Sequence, residues 1–383
     1  MTVMLRAYID WIATSALPFW AERGFDAAGG RFHERLDRNG DPIAVPHRAM
    51  VQARQIFVFA HAAELGWSPA GARLAEVAMA SLLRDFADHG PDETCFAFSI
   101  DPASGGTISP VRDAYAHAFV LLSIATLYRL NGDRHLIEIA DRTIRFIERR
   151  LGDPVYGGLF DALPAPAGKR QNPHMHLLEA YLALEHAAPG RGYIERAAGL
   201  IDLFRRHFLA DGVLREYFER DWTAAEPAIW EPGHHFEWVW LLGEYATLTG
   251  EDLSAAADDL YRSAIVHGVA SDDMIVDQVA THDRAVIKPS CRVWPHIEAI
   301  KAAATREGAG DPAARPFAES MAARLLGTFL DRPFAGGWID HVAADAAPLV
   351  EHVPASTLYH LMLGGSVAAK GFASGPALAK ADS

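Results

Sequence analysis

Eight consecutive residues, Glu231-Pro232-Gly233-His234-His235-Phe236-Glu237-Trp238, place two imidazoles and two carboxylates behind a helix-starting Pro-Gly. On a helix His234 and Glu237 stand three residues apart on one face, so the carboxylate is expected to orient and charge-stabilise the ring. His235 and Trp238 pair on the adjacent face in the same way. The neighbours Phe236, Val239 and Trp240 call for burial, which does not suit two solvated surface histidines. Imidazoles held this way can take up and return a proton near neutral pH.

Four other stretches carry comparable groups. In Asn172-Pro173-His174-Met175-His176 the two histidines are two apart, and on a helix such positions point about 200° away from each other. No shared metal is expected. His174 is expected to fix a loop by hydrogen bonding, and His176, beside Leu177, Leu178 and Tyr181, to face inward. Arg54, next to the apolar run IFVFAHAAELGW, needs an anionic or polar partner if buried. That partner is either a developing oxyanion or a structural carboxylate such as Asp113; His61 on the same run reads as core. Trp294, in Cys291-Arg292-Val293-Trp294-Pro295, is either a plate for the apolar face of a sugar ring or a core residue. His360 is a lone histidine in the apolar segment Ser356-Thr357-Leu358-Tyr359-His360.

What positions these groups is a repeat. Short alternating pieces begin at Gly30, Cys95, Gly158, Gly212, Asp273 and Gly337, a step of about 60 residues. Each is followed by a segment apolar almost all round: 50–65, 114–130, 176–188, 235–249, 297–306 and 356–363. Helices without a polar face are buried on every side. Most of these are expected to stop at a glycine, at Gly66, Gly132, Gly190, Gly250, Gly308 and Gly364. The segments before each mark, such as 135–150 and 197–208, have one charged face and read as outer helices. Six outer–inner pairs predict an all-α chain closed as an (α/α)6 barrel with short β-hairpins at one end, in one domain over 1–383. An open superhelix of helix pairs is the rival, but it would need polar caps, and STLYHLMLGG is as apolar as the middle segments. Arg54, Tyr115, His176, His234, Trp294 and His360 lie 18 to 24 residues after their marks, near the start of an inner helix. In a closed ring those starts converge, so one pocket is expected to collect all six.

Composition narrows the partners. With 35 Lys and Arg against 49 Asp and Glu the net charge is −14, without the basic clusters that nucleic acid requires. Cys95 and Cys291 make neither a disulfide framework nor a cysteine zinc site. No 18-residue apolar run or signal pattern is present, so a soluble cytoplasmic protein without membrane contact, monomeric or homodimeric, is expected. The tail after Gly371 is expected to fray. Phosphate loops, dinucleotide fingerprints and the Gly-x-Ser-x-Gly elbow are missing from the sequence. A pocket of histidines, one arginine, one carboxylate and tryptophans suits proton transfer beside a carbonyl, with the arginine holding the enediolate oxygen. Glycoside hydrolysis would need two flanking carboxylates, and Glu237 has no evident partner. A non-catalytic helical scaffold is the remaining alternative.

Arg54 in VQARQ, NPHMHLLE at 172–179, EPGHHFEW at 231–238, RVWP at 292–295 and ASTLYH at 355–360 resemble the N-acylglucosamine 2-epimerase superfamily, over nearly the whole chain. EPGHHFEW followed by VWLL is most similar to its isomerase branch, which includes mannose and sulfoquinovose isomerases. The resemblance implies an (α/α)6 barrel working without cofactor or metal on a monosaccharide. It implies that His360 moves a proton between C2 and C1, that His234 is the second acid–base group, and that Glu237 orients His234. Arg54 would bind the enediolate oxygens and His176 a substrate hydroxyl. Trp294, Tyr115, Asn172 and Glu231 would be further sugar contacts. Mannose–fructose-type isomerisation through a cis-enediol is expected, with 2-epimerisation of an N-acylated or disaccharide sugar as the alternative.

Overall fold

The computed structural model describes residues 1–373, so most of the tail expected to fray lies outside the described residues. Helices dominate, and they alternate in burial. The inner helices are α2 (Ala49–Glu64), α4 (Ala114–Asn131), α6 (Asn172–Ala187), α8 (Pro232–Thr249), α10 (Val293–Gly308) and α12 (Leu358–Gly371). The outer ones are α1 (Val3–Trp11), α3 (Gly71–Asp85), α5 (Arg134–Phe146), α7 (Tyr193–Leu203), α9 (Ser254–Ser263) and α11 (Ala314–Arg324). The difference follows from the side chains. Every residue of α4 from Ala116 to Leu127 is buried, whereas α5 buries only the stripe Leu136, Ile137, Ile139, Ala140, Thr143, Ile144 and Phe146.

Each inner helix packs on the next, α2 on α4, α4 on α6, α6 on α8, α8 on α10 and α10 on α12, and α12 returns to α2. A second circuit runs through the strands before the inner helices. His47–Arg48 pairs with Ser99–Ile100, Arg112–Asp113 with Ala162–Leu163, and Gly168–Arg170 with Tyr217–Glu219. Ile229–Trp230 pairs with Gln278–Ala280, Cys291–Arg292 with His341–Val342, and Val353–Pro354 with Arg35–Leu36. All six pairs are antiparallel, and the last ties the C-terminal unit to the N-terminal one.

Four histidines join strand to helix in the same way. His117 Nδ1–H donates to Asp113 O at 2.7 Å, and its Nε2 accepts from Phe96 N–H at 3.1 Å. His174, His235 and His296 repeat this with Arg170 O and Leu159 N–H, Glu231 O and Leu214 N–H, and Arg292 O and Ile275 N–H. In the first unit Gln52 takes the place, bonding both backbone groups of Phe32. These bonds require the neutral ring, and burial holds all four histidines well below the ordinary range, His235 at about 3 and the others at about 4. His174 thus has the loop-fixing role expected of it.

Two of the expected helix stops differ. Gly132 and Gly250 end α4 and α8 in the left-handed conformation, at φ 70° and 74°. Gly308 is instead the last residue of α10, and Gly310 takes the turn at φ 86°. Gly364 lies inside α12, which runs on to Gly371; a Cβ there would sit 2.2 Å from Ile297 Cγ2. Its smallness serves the approach of α12 to α10 rather than a stop. Among the described residues no helix is long and apolar enough to cross a membrane.

Candidate active site

The inner-helix starts surround a cavity of about 350 Å3. Arg54, Tyr115, Asn172, His176, Glu231, His234, Glu237, Trp294 and His360 all line it, so the nine residues expected to act on or hold a substrate lie together. The loop-fixing residues set the register. Two positions after Gln52, His174 and His235 come Arg54, His176 and Glu237, and two before His117, His174 and His296 come Tyr115, Asn172 and Trp294.

His234 is held by a residue other than the expected one. Its Nδ1 lies 2.9 and 3.0 Å from the two carboxylate oxygens of Glu216, which also accepts the Glu231 N–H at 3.3 Å. Burial opposes charge on the ring, but Glu216, with Glu231 and Glu237 behind it, overrides this and lifts the pKa to about 9. Asn172 Nδ2 stands 3.1 Å from Nε2, and its Oδ1 has no partner, so a half-turn of the amide offers an acceptor to the protonated ring. Glu237, assigned this orienting role in the sequence, does not fill it. It sits on the same helical face but deeper, with Oε1 unbonded and 3.9 Å from His176 Nδ1. Burial, then Glu298, pushes its carboxyl well above the ordinary range.

His360 and His176 are in the opposite state. His360 Nδ1 lies 2.7 Å from Glu298 Oε1, and His176 Nδ1 lies 3.1 Å from Glu179 Oε2. Burial outweighs these carboxylates and brings both rings down to about 4. Trp294 separates the two states, its ring centroid 5.1 Å from that of His234 and 5.5 Å from that of His360. Arg54 lies 4.1 Å above the Phe119 ring, donates to Ser356 O at 3.1 Å and bonds the Tyr115 hydroxyl. It does not pair with Asp113, which caps α4 by accepting the Ala116 N–H at 2.8 Å. Among the described residues no carboxylate pairs with Arg54, so its charge faces the cavity uncompensated. Glu231 is bound by Arg292 at 2.7 Å.

Sequence reasoning missed Glu216, Arg292, Asp340 and the floor residues Glu298 and Lys301. A signal for Glu216 was present. An acid follows five of the repeat marks; Asp340 accepts the Thr357 hydroxyl, and the other four, Glu34, Asp161, Glu216 and Asp277, each accept the backbone N–H of the residue before, or two before, the inner helix. In three units that residue is an arginine, Arg48, Arg170 or Arg292, which also ion-pairs with its acid. In the fourth it is Glu231, which cannot pair, so Glu216 is left for His234.

Two overlapping sets, His176–Glu179–Glu237 and Glu237–Glu298–His360, bring donor atoms within 4.8 Å of one another and could hold a cation. The Lys301 ammonium, 2.7 Å from Glu298 Oε2, already supplies positive charge there. The pair His174 and His176 is divided between a loop and the cavity.

A known mannose-6-phosphate isomerase from Rhizobium meliloti is 34% identical to this chain, covering 92% of it and 93% of the relative. A D-mannose isomerase from Thermobifida fusca is 28% identical, over 77% of this chain and 79% of the relative. The structure of a cellobiose 2-epimerase from Bacillus thermoamylovorans superposes with a TM-score of 0.85 at 19% identity, covering 96% of this chain and all of the other (100%). Residues 30–364 match the N-acylglucosamine 2-epimerase (GlcNAc 2-epimerase) family. With that match over most of its length, the chain belongs to the N-acylglucosamine 2-epimerase family of sugar isomerases and epimerases.

Proposed function

We propose that this protein is an aldose–ketose isomerase, a single (α/α)6 barrel that interconverts a mannose-type aldose and its 2-ketose without cofactor. The observation that carries this is the opposed protonation of His360 and His234 on either side of Trp294. A neutral His360, with Nδ1–H held by Glu298, offers Nε2 as a base for the C2 proton of the open-chain aldose. As the C2–H bond breaks, its electron pair forms the C1=C2 bond and the C1 carbonyl oxygen becomes the enediolate oxygen. Arg54 stabilises that charge. Cationic His234 opens the sugar ring by donating to the ring oxygen and takes up the proton that the anomeric hydroxyl releases; it then donates to the O1 enediolate oxygen and takes the proton of the C2 hydroxyl. His360 delivers its proton to C1, C2 becomes the carbonyl, and the enzyme is restored.

The cavity favours an uncharged sugar over a phosphorylated one. Arg170 and Arg292 line it, but Arg170 is ion-paired to Asp161 and Arg292 to both Asp277 and Glu231. Glu216 and Asp340 add further carboxylates to the wall. The free cysteines Cys95 and Cys291 fit a reducing cytoplasm.

The second reading is 2-epimerisation. It rests on the same charged His234, which across Trp294 could return a proton to the opposite face of C2. One incubation with mannose in D2O separates the two. Fructose is the expected product, with deuterium at C1 to the extent that His360 exchanges its proton with solvent before delivering it; glucose deuterated at C2, without ketose, overturns the isomerase reading.

A further inference from the structure

Beneath the cavity lies a charged layer, of which the reaction above uses only Glu298. Lys301 is fully buried one turn below Glu298 on α10, its Nζ 3.9 Å from the Trp240 ring centroid. It contacts Glu298 Oε2 at 2.7 Å, as an ion pair rather than a well-aligned hydrogen bond, and the other oxygen of Glu298 holds His360 Nδ1 at 2.7 Å. Lys301 does not line the cavity, so it cannot touch a substrate bound there.

We propose that Lys301 is a positioning residue: through Glu298 it keeps His360 in the tautomer that leaves Nε2 free to act as the base. The proposal rests on the reading of His360 as that base. A buried lysine is costly unless paired, and a carboxylate alone in such a place takes up a proton. Here each supports the charge of the other. Glu298 is held down near 2, against its burial, first by Lys301 and then by His360, and Lys301 is held above its ordinary range by Glu298, Glu237 and Glu179.

Every helix facing this layer contributes a titratable group. Glu237 and His234 come from α8, Glu179 and His176 from α6, Arg54 from α2, Tyr359 from α12, Tyr115 from α4 and Tyr8 from α1. Among the described residues only Lys301 and His360 pair directly with Glu298. Without the ammonium, the layer gains a proton in one of two places. On Glu298 it makes a carboxylic acid that donates to His360 Nδ1 and moves the ring proton to Nε2. On His360 it makes the imidazolium. Both remove the base at neutral pH.

The test is Lys301→Met, with Lys301→Gln as a second variant that keeps a polar head. Expected is a kcat about ten- to a hundredfold lower with KM within about twofold, as for other groups that orient a catalytic ring. Where the variant ring is the imidazolium, the acidic limb of the kcat profile, where the base is protonated, is expected to move up from about 4 to neutrality or above. In 15N NMR the wild-type His360 ring is expected as Nδ1–H with bare Nε2 across pH 6 to 8, and the variants as Nε2–H or imidazolium. A variant that keeps the wild-type tautomer and acidic limb overturns the proposal. So does a wild-type His360 found as Nε2–H, which needs no variant to fold. Turnover retained by His360→Asn would instead overturn the function itself, and the tautomer measurement, which needs no substrate, would still judge the relay.

Discussion

The carboxylate of Glu216 straddles His234 Nδ1, at 2.9 and 3.0 Å, from the connection between the strands Val213–Leu214 and Tyr217–Glu219, 18 residues upstream. That contact makes His234 unlike the other two cavity histidines, His176 and His360. His234 is a cation up to about pH 9, while His360, bonded by one carboxylate that Lys301 already neutralises in part, is neutral down to about 4. An acid and a base are therefore both in place across the neutral range.

Glu216→Gln removes the charge but keeps an acceptor. Burial then dominates His234 as it does His176 and His360, and its pKa falls below neutrality. Losing a general acid is expected to lower kcat about a hundredfold at pH 7.5. In the wild type, activity should fall as pH rises through about 9; in the variant that limb should move toward acid. A variant whose alkaline limb stays in place would show that His234 does not need Glu216.

The same protonation states shape stability. The folded pKa of His234 is raised, so its contribution is fully present below the unfolded value near 6.5 and is lost as pH rises through about 9. His117, His174, His235 and His296 are lowered, so the unfolded chain binds their protons first as pH falls below about 6.5, and stability is lost from there toward about 4. Each can contribute up to about 1.4 kcal/mol per pH unit in that window. Thermal melting points are expected to fall steeply between pH 6.5 and 4.5. In His296→Leu, Ile275 N–H and Arg292 O lose their buried partner, costing about 2–5 kcal/mol. A flat melting curve over that window would refute the role assigned to these rings.

Much of this arrangement was legible in the sequence, because the repeat carried it. The interval of about 60 residues and the all-round apolar segments located the inner helices. Constant offsets predicted that Arg54, Tyr115, His176, His234, Trp294 and His360 share one cavity, and all six line it. Contacts between elements were not legible, since spacing within a helix says nothing about a segment outside that helix. Glu237 shares a helical face with His234, yet Glu216 reaches the ring from another element. The loop-fixing role expected of His174 is shared by three more histidines, so that four of the rings fix loops and three line the cavity. Helix ends were legible where glycine takes a left-handed turn, as at Gly132, and misleading where it admits a neighbour, as at Gly364.

Gly364 offers a direct test of that distinction. If it only ended a helix, alanine would cost little. Because its missing Cβ would meet Ile297 Cγ2 at 2.2 Å, Gly364→Ala should destabilise by about 1–3 kcal/mol through overpacking. Adding Ile297→Ala should recover part of that loss, a coupling that a double-mutant cycle in urea would measure. Strictly additive effects would place the strain elsewhere.

Arg54 supplies the last test, because its geometry requires a guanidinium. One Nη donates to Ser356 O and the other bonds Tyr115 Oη, while the planar group lies on Phe119 and its Nε is left without a protein partner. An ammonium keeps the charge but cannot make both bonds and still present a donor to the enediolate. Arg54→Lys is therefore expected to lower kcat about a hundred- to a thousandfold, as for loss of one oxyanion donor, while KM changes by less than about threefold. The split matters more than the size of the loss. If KM rose and kcat held, Arg54 would bind the ground-state sugar rather than the developing oxyanion, and the enediolate would need another cation. The other cavity-lining arginines, Arg170 and Arg292, are each ion-paired to a carboxylate, which leaves Arg54 as the cation that can meet it.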